Sequence, residues 1–121
     1  MRMKKITEAI SSAINRLEDS TKALVEKDER WVMDSVWEAS AELEYALFLF
    51  SLIQQEEAER SSWKLESPSK QVEVGPTLVS AQDLLKEAKS YIDIGDLGKA
   101  HKKTWMARGH LLKAWKRLTA R

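Results

Sequence analysis

An all-α fold is predicted, a four-helix up-down bundle built from two antiparallel helical hairpins, and three observations carry that prediction. Apolar residues recur at alternating spacings of three and four through four separate segments, the signature of amphipathic helices. The 121 residues contain Gly 4 and Pro 2, too few for a turn-rich sandwich or barrel. Two of the three breaks are very short, and a short connection between helices forces an antiparallel pair. Strand-like alternation occurs only at Gln71-Val72-Glu73-Val74, which is too brief to build a sheet.

The first helix, expected near 3–26, carries Met3, Ile6, Ile10, Ala13, Leu17 and Leu24 on one seam. The second, near 29–60, carries Val32, Val36, Ala39, Leu43, Ala46, Phe50 and Ile53. Lys27-Asp28 separates them, with Asp28 placed to cap the free N–H groups of the second helix. The linker 61–77 holds Pro68, Gly75 and Pro76. Thr77 or Ser80 is the expected cap of the third helix, Ser80 and Asp83 having the spacing of a capping box. That helix, near 78–94, carries Leu78, Ala81, Leu85, Ala88 and Ile92. Gly95 suits the left-handed end of the third helix, and Asp96 the cap of the fourth. The fourth helix, near 97–119, carries Leu97, Ala100, Thr104, Ala107, Leu111, Ala114 and Leu118. One domain is thus expected over 1–121, as hairpin 3–60, linker 61–77 and hairpin 78–119. Leu17, Leu43, Leu85 and Leu111 should lie deepest in its core.

A shift of 68 positions brings the two hairpins into register. Ile10 falls on Leu78, Ala13 on Ala81, Leu17 on Leu85 and Leu24 on Ile92. Beyond the turn, Asp28 falls on Asp96, Trp37 on Trp105, Ala39 on Ala107, Leu43 on Leu111 and Ala46 on Ala114. Coincident seams alone are cheap, because any two such helices can be slid into phase. The aligned Asp, Trp and Ala fit either a duplicated αα-hairpin or two hairpins converged on one pattern.

Composition bounds function more by exclusion than by assignment. There are no cysteines, which excludes disulfides, thiolate metal sites and a cysteine nucleophile. Twenty basic and 19 acidic residues give a net charge of +1, against a general polyelectrolyte binder. The longest apolar run, Tyr45 to Ile53, is far below the ~18 residues of a membrane span. Met-Arg-Met-Lys-Lys is not followed by a continuous apolar stretch, since Thr7, Glu8, Ser11 and Ser12 interrupt it. A cytoplasmic protein is expected. Asn15, Gln54, Gln55, Gln71 and Gln82 are the only side-chain amides. Scarce amides, absent cysteine and abundant charge fit a thermophile.

Charge is segregated along the chain. Ten acids lie between Glu26 and Arg60 against Lys27, Arg30 and Arg60, and eight bases follow Gly95 against Asp96 alone. An acidic second helix beside a basic fourth helix accounts for this most simply. The alternative is a phosphate or nucleic-acid face on Lys99, Lys102, Lys103, His110, Lys113 and Arg117, with salt-sensitive affinity. Met106 shares that face. Of five tryptophans, Trp115 adjoins the seam, Trp37 and Trp105 flank theirs, Trp31 is helical and Trp63 lies in the linker. Core or core-edge packing suits indoles best. From Tyr45 to Ile53 the second helix is apolar nearly all round. Leu47, Phe48, Leu49 and Leu52 therefore need a further neighbour, either the linker through Trp63, Leu65, Val72 and Val74 or a second subunit. A homodimer is expected, with Phe48 and Leu52 near its centre and Trp37 or Trp63 at the rim.

No enzymatic activity, cofactor or metal is expected. His101 and His110 lack a carboxylate one turn away and are read as surface or edge histidines. Glu38 with Glu42 and Glu56 with Glu59 have one-face spacing but no accompanying Glu-x-x-His, which a buried dinuclear site requires. Gly95-Asp-Leu-Gly98 lacks the further Gly-Lys-Ser/Thr of a phosphate loop.

Within the second hairpin, Gly95, Asp96, Ala100, Lys103, Trp105, Ala107, His110, Leu112, Lys113 and Ala114 stand at the spacing of a known pattern. It resembles that of archaeal PaREP-type proteins, within the wider HEPN-like four-helix superfamily. A second archaeal helical family of unknown function is similar through Gly95-Asp96, Ala100 and Ala107-x-Gly109-x-Leu111. The resemblance covers the last third of the chain and implies a helical bundle, often dimeric, in an archaeal cytoplasm. Active HEPN ribonucleases carry Arg, four to six residues, then His. Here only Gly109 separates Arg108 from His110, so the resemblance implies fold and not nuclease activity. A non-catalytic helical interaction module is the expected function, and a HEPN-like nucleic-acid-associated or toxin–antitoxin-type protein using the basic helix is the alternative.

Overall fold

The periodic segments fold as helices. In the computed structural model, which describes residues 2–53 and 73–120, they are α1 (Arg2–Val25), α2 (Glu29–Ile53), α3 (Val74–Asp93) and α4 (Leu97–Thr119). No strand occurs among the described residues. Each helix packs on two others, α1 on α2 and α3, and α4 on α2 and α3. Round the bundle the order is therefore α1, α2, α4, α3, an all-α four-helix bundle.

All neighbours are antiparallel. A Cβ built on Gly75, at the start of α3, would lie 3.9 Å from Leu24 Cδ1, near the end of α1. Between α2 and α4 the contacts are Trp37 with Trp115, Glu44 with Arg108, and Phe50 with His101. Residues of α2 and α4 whose numbers add to 151 or 152 thus lie level. It follows that α2 and α3 run in the same direction and occupy diagonal corners, with Ile53 and Val74 at opposite ends of the bundle; the two antiparallel hairpins are as expected, but the up-down alternation does not continue from α2 to α3. A 25-residue helix is about 37 Å long. The chain between α2 and α3 can cover that distance at about 3.3 Å per residue, so the second hairpin is free to take this position.

The core consists of the predicted seams. Leu17, Leu43, Leu85 and Leu111 are each fully buried, with Phe50, Ile6, Ile10 and Leu78. Every interior seam residue expected in α3 is buried, and Met3, Leu24, Ile53, Leu97 and Leu118 close the ends half-exposed. Two buried hydroxyls are satisfied within their own helices. Ser20 donates to the Leu17 carbonyl at 2.7 Å and Thr104 to that of Ala100 at 2.9 Å.

The two hairpin turns match bond for bond. Asp28 N–H donates to the Ala23 carbonyl at 2.9 Å, and Asp96 N–H to that of Tyr91 at 2.9 Å. Lys27 N–H donates to Leu24 at 3.1 Å, and Gly95 N–H to Ile92 at 3.0 Å. Among the described residues Lys27 and Gly95 are the two in the left-handed region, at φ 59° and 84°. Asp28 and Asp96 then cap the next helix identically, each accepting at Oδ1 from a backbone N–H at 3.1 Å, that of Trp31 or Lys99. Every one of these pairs differs by the 68-residue shift, which also relates α1 to α3 and α2 to α4. The bundle therefore has an internal approximate two-fold axis, perpendicular to its helices.

One expected boundary is corrected. Helix α3 begins at Val74 and not at 78, with Glu73 as an N-cap that makes no side-chain cap bond. Pro76 falls in the first turn, where its missing N–H leaves no acceptor unserved and its fixed φ suits the helix. Thr77 and Ser80 are therefore inside the helix and cap nothing. The Thr77 hydroxyl donates instead to the Glu73 carbonyl at 2.7 Å. The expected continuation of α2 to residue 60, and the linker residues Trp63, Leu65 and Val72, lie outside the described residues. Val74 is half-buried against the core as the first residue of α3.

Candidate interaction faces of α2 and α4

The back of α2, opposite its core seam, is apolar. Trp37 is 62% exposed, Phe48 59%, Tyr45 45% and Leu52 40%. Positions 37, 41, 48 and 52 recur every one to two turns and form one stripe about 22 Å long. Beside it, Trp37, Ser40, Ala41 and Glu44 of α2 and Leu112 of α4 line an open apolar depression. At one end Trp37 leans on Trp115, ring centroids 5.4 Å apart and tilted by 45°.

Of the four residues expected to need a further neighbour, the structure leaves Phe48 and Leu52 exposed and Leu47 half-buried. Leu49 is a correction. It is 6% exposed and belongs to the core. Eleven residues, about three helical turns, separate it from Glu38, which reaches Arg16 of α1 at 3.0 Å. Leu49 thus lies on the α1-facing flank of α2, which a strict one-seam reading leaves out.

On α4 the structure divides the expected basic face. Lys99, Lys102 and Arg117 are exposed, whereas Lys103, His110 and Lys113 are half-buried. Lys103 pairs with Glu87 of α3 at 3.4 Å. Lys99 lies 3.8 Å from Asp96, with its ammonium 5.5 Å from the Tyr91 ring centroid. Arg108, which stands outside the expected set, pairs with Glu44 of α2. Acidic α2 does lie beside basic α4, as the simplest account of the charge segregation requires. Ion pairs this exposed contribute about 0–1 kcal/mol each, so their role is in the shape of the surface field more than in stability.

His101 is the other correction. It is 3% exposed, not at the surface, and its ring stacks on Phe50 at 4.9 Å with 7° between planes. The seam reading placed it outside because Ala100 already occupies the seam. The overlooked signal is the spacing of His101, Thr104 and Arg108, which marks the flank of α4 that turns toward α2. Among the described residues no three His, Asp or Glu side chains converge as a metal would require. Glu38 is engaged with Arg16, and Glu56 and Glu59 lie outside the described residues. No described helix is long and apolar enough to cross a membrane.

No protein-family model, curated protein or solved structure matches this chain.

Proposed function

We propose that this protein is a non-catalytic helical interaction module that self-associates through the outer face of α2. The observation that carries the proposal is the aromatic stripe itself: Trp37, Tyr45, Phe48 and Leu52 exposed together on one helix back. Large apolar side chains clustered on a surface mark association sites, whereas scattered ones do not. Each forfeits roughly 1.5–3 kcal/mol when left fully in water, and a two-fold contact covers the same patch on both copies at once. Sedimentation of the wild type and of Phe48→Glu tests this. A dimer at micromolar concentration that Phe48→Glu converts to a monomer is expected. A monomeric wild type refutes self-association.

A second reading rests on Lys102, Lys116 and Arg117, exposed on a helix that carries no acid. Here the protein is a HEPN-like nucleic-acid-associated or toxin–antitoxin-type protein, as the resemblance of the second hairpin implies. Its affinity for RNA or DNA would fall linearly with log salt. Absence of binding at low salt eliminates it. A cysteine-free, amide-poor composition supports a cytoplasmic setting in a thermophile, and the same resemblance an archaeal one.

A further inference from the structure

We infer that the self-associating partner is a second copy of this chain, related by a two-fold axis parallel to the helices, so that α2 of each copy lies across α4 of the other. This rests on the self-association proposed above and adds to it a geometry and a set of contacts.

Two simple two-fold arrangements bring the α2/α4 faces of two bundles together. With the axis in the interface but perpendicular to the helices, α2 meets α2 and α4 meets α4. With the axis parallel to the helices, α2 meets α4 twice. Charge decides between them. Toward this face α2 presents Asp34 and Glu44 and α4 presents Arg108 and Lys116, whereas Glu38 is turned to Arg16 of α1 and Lys103 to Glu87 of α3. The perpendicular axis stacks acid on acid and base on base, which costs association energy and rejects the pairing. The parallel axis sets each acidic helix on a basic one at both halves of the interface.

A pure two-fold axis parallel to the helices moves nothing along them. Residues level within one bundle therefore remain level across the interface, and the register is fixed by contacts already seen between α2 and α4. Ala41 comes within about 2 Å of the level of the partner's Leu112, Phe48 of that of the partner's Trp105, and Asp34 of that of the partner's Lys116, at 1.5 Å of rise per residue. The first is a side chain set over a small residue in the apolar depression. The second places a ring exposed in one copy against an indole of the other. The third is an acid–base pair between two exposed side chains, repeated by symmetry.

The chain has no cysteine, so single introduced thiols report the geometry cleanly. Ala41→Cys protein mixed with Leu112→Cys protein should, on oxidation, give the mixed cross-linked dimer in preference to either homodimer. Cross-linking of Ala41→Cys to itself in preference to Leu112→Cys overturns the parallel axis. Charge exchange gives a second readout. Asp34→Lys and Lys116→Asp should each raise the homodimer Kd about tenfold. An equimolar mixture of the two should associate with wild-type affinity, since both of its charge pairs are restored. Both positions are exposed, and an unchanged circular dichroism spectrum verifies that folding is intact. Wild-type protein that is monomeric removes self-association and this geometry together. A dimer dissociated by Phe48→Glu that shows neither the mixed cross-link nor the charge rescue leaves self-association standing and overturns the geometry alone.

Discussion

Exchanging the two left-handed turn residues tests whether the hairpins are physically equivalent. Lys27 and Gly95 occupy matching turns, at φ 59° and 84°, with the same backbone hydrogen bonds. An L-residue in the left-handed region costs roughly 1–2 kcal/mol. Glycine gives back about 0.5–1 kcal/mol of that through its greater freedom in the unfolded chain. Lys27 is exposed and loses no packing when removed, but its positive charge past the end of α1 contributes about 0.3 kcal/mol. Lys27→Gly is therefore expected to stabilise by about 0.5 kcal/mol. A Cβ at Gly95 would meet no atom within 4 Å, so Gly95→Ala costs only the backbone term, about 1 kcal/mol. At this length the corresponding changes in Tm are about +2 °C and −4 °C. Urea unfolding at constant m gives the same quantities through the midpoint. The two turns lie at opposite ends of the bundle, so the two effects should add within about 0.5 kcal/mol in the double variant. A neutral or destabilising Lys27→Gly, or a neutral Gly95→Ala, refutes the equivalence of the turns.

Leu43 and Leu111 are fully buried at matching positions, so Leu43→Ala and Leu111→Ala should each cost about 2–5 kcal/mol in chemical denaturation, with similar values for the two. Asp28→Ala and Asp96→Ala each remove one helix cap and should each lower stability by about 1 kcal/mol; thermal unfolding that moves for one and not for the other would show that the caps are not interchangeable. Phe48→Glu changes an exposed side chain and should leave the stability of the folded chain within about 0.5 kcal/mol while abolishing association, which sedimentation and denaturation together distinguish.

The fold was legible because it rests on repeated local chemistry. Spacings of three and four located all four helices, and the Lys-Asp and Gly-Asp breaks located both turns together with their capping aspartates. What a single seam hides is the width of a buried helix face. A helix packed on two neighbours buries a seam and both flanks. Leu49, on the flank toward α1, and His101, on the flank toward α2, therefore lie inside although a single seam leaves them out. The start of α3 is hidden by Pro76, which reads as a helix breaker, although a proline in the first turn breaks no helical hydrogen bond. Order round the bundle was not legible at all, since spacing within a helix says nothing about which diagonal it occupies. The candidate interface was legible in part. Phe48 and Leu52 follow from an apolar run wider than one seam, while the depression beside Ala41 requires α4 in place, because Leu112 forms one of its walls.

The internal two-fold axis means that the chain can be compared with itself. At several matched interior positions the residues are identical: Leu17 with Leu85, Ala39 with Ala107, Leu43 with Leu111. On the outer faces the matched positions diverge in kind. Asp34 corresponds to Lys102, Glu44 to Leu112, Tyr45 to Lys113 and Phe48 to Lys116. A common scaffold explains everything the two hairpins share and nothing about how they differ. Subtracting one hairpin from the other cancels much of the shared core and brings forward the residues that make one side of the molecule chemically distinct from the other. Such a difference map needs no relatives, and it concentrates on the two helices that meet at the Trp37–Trp115 contact.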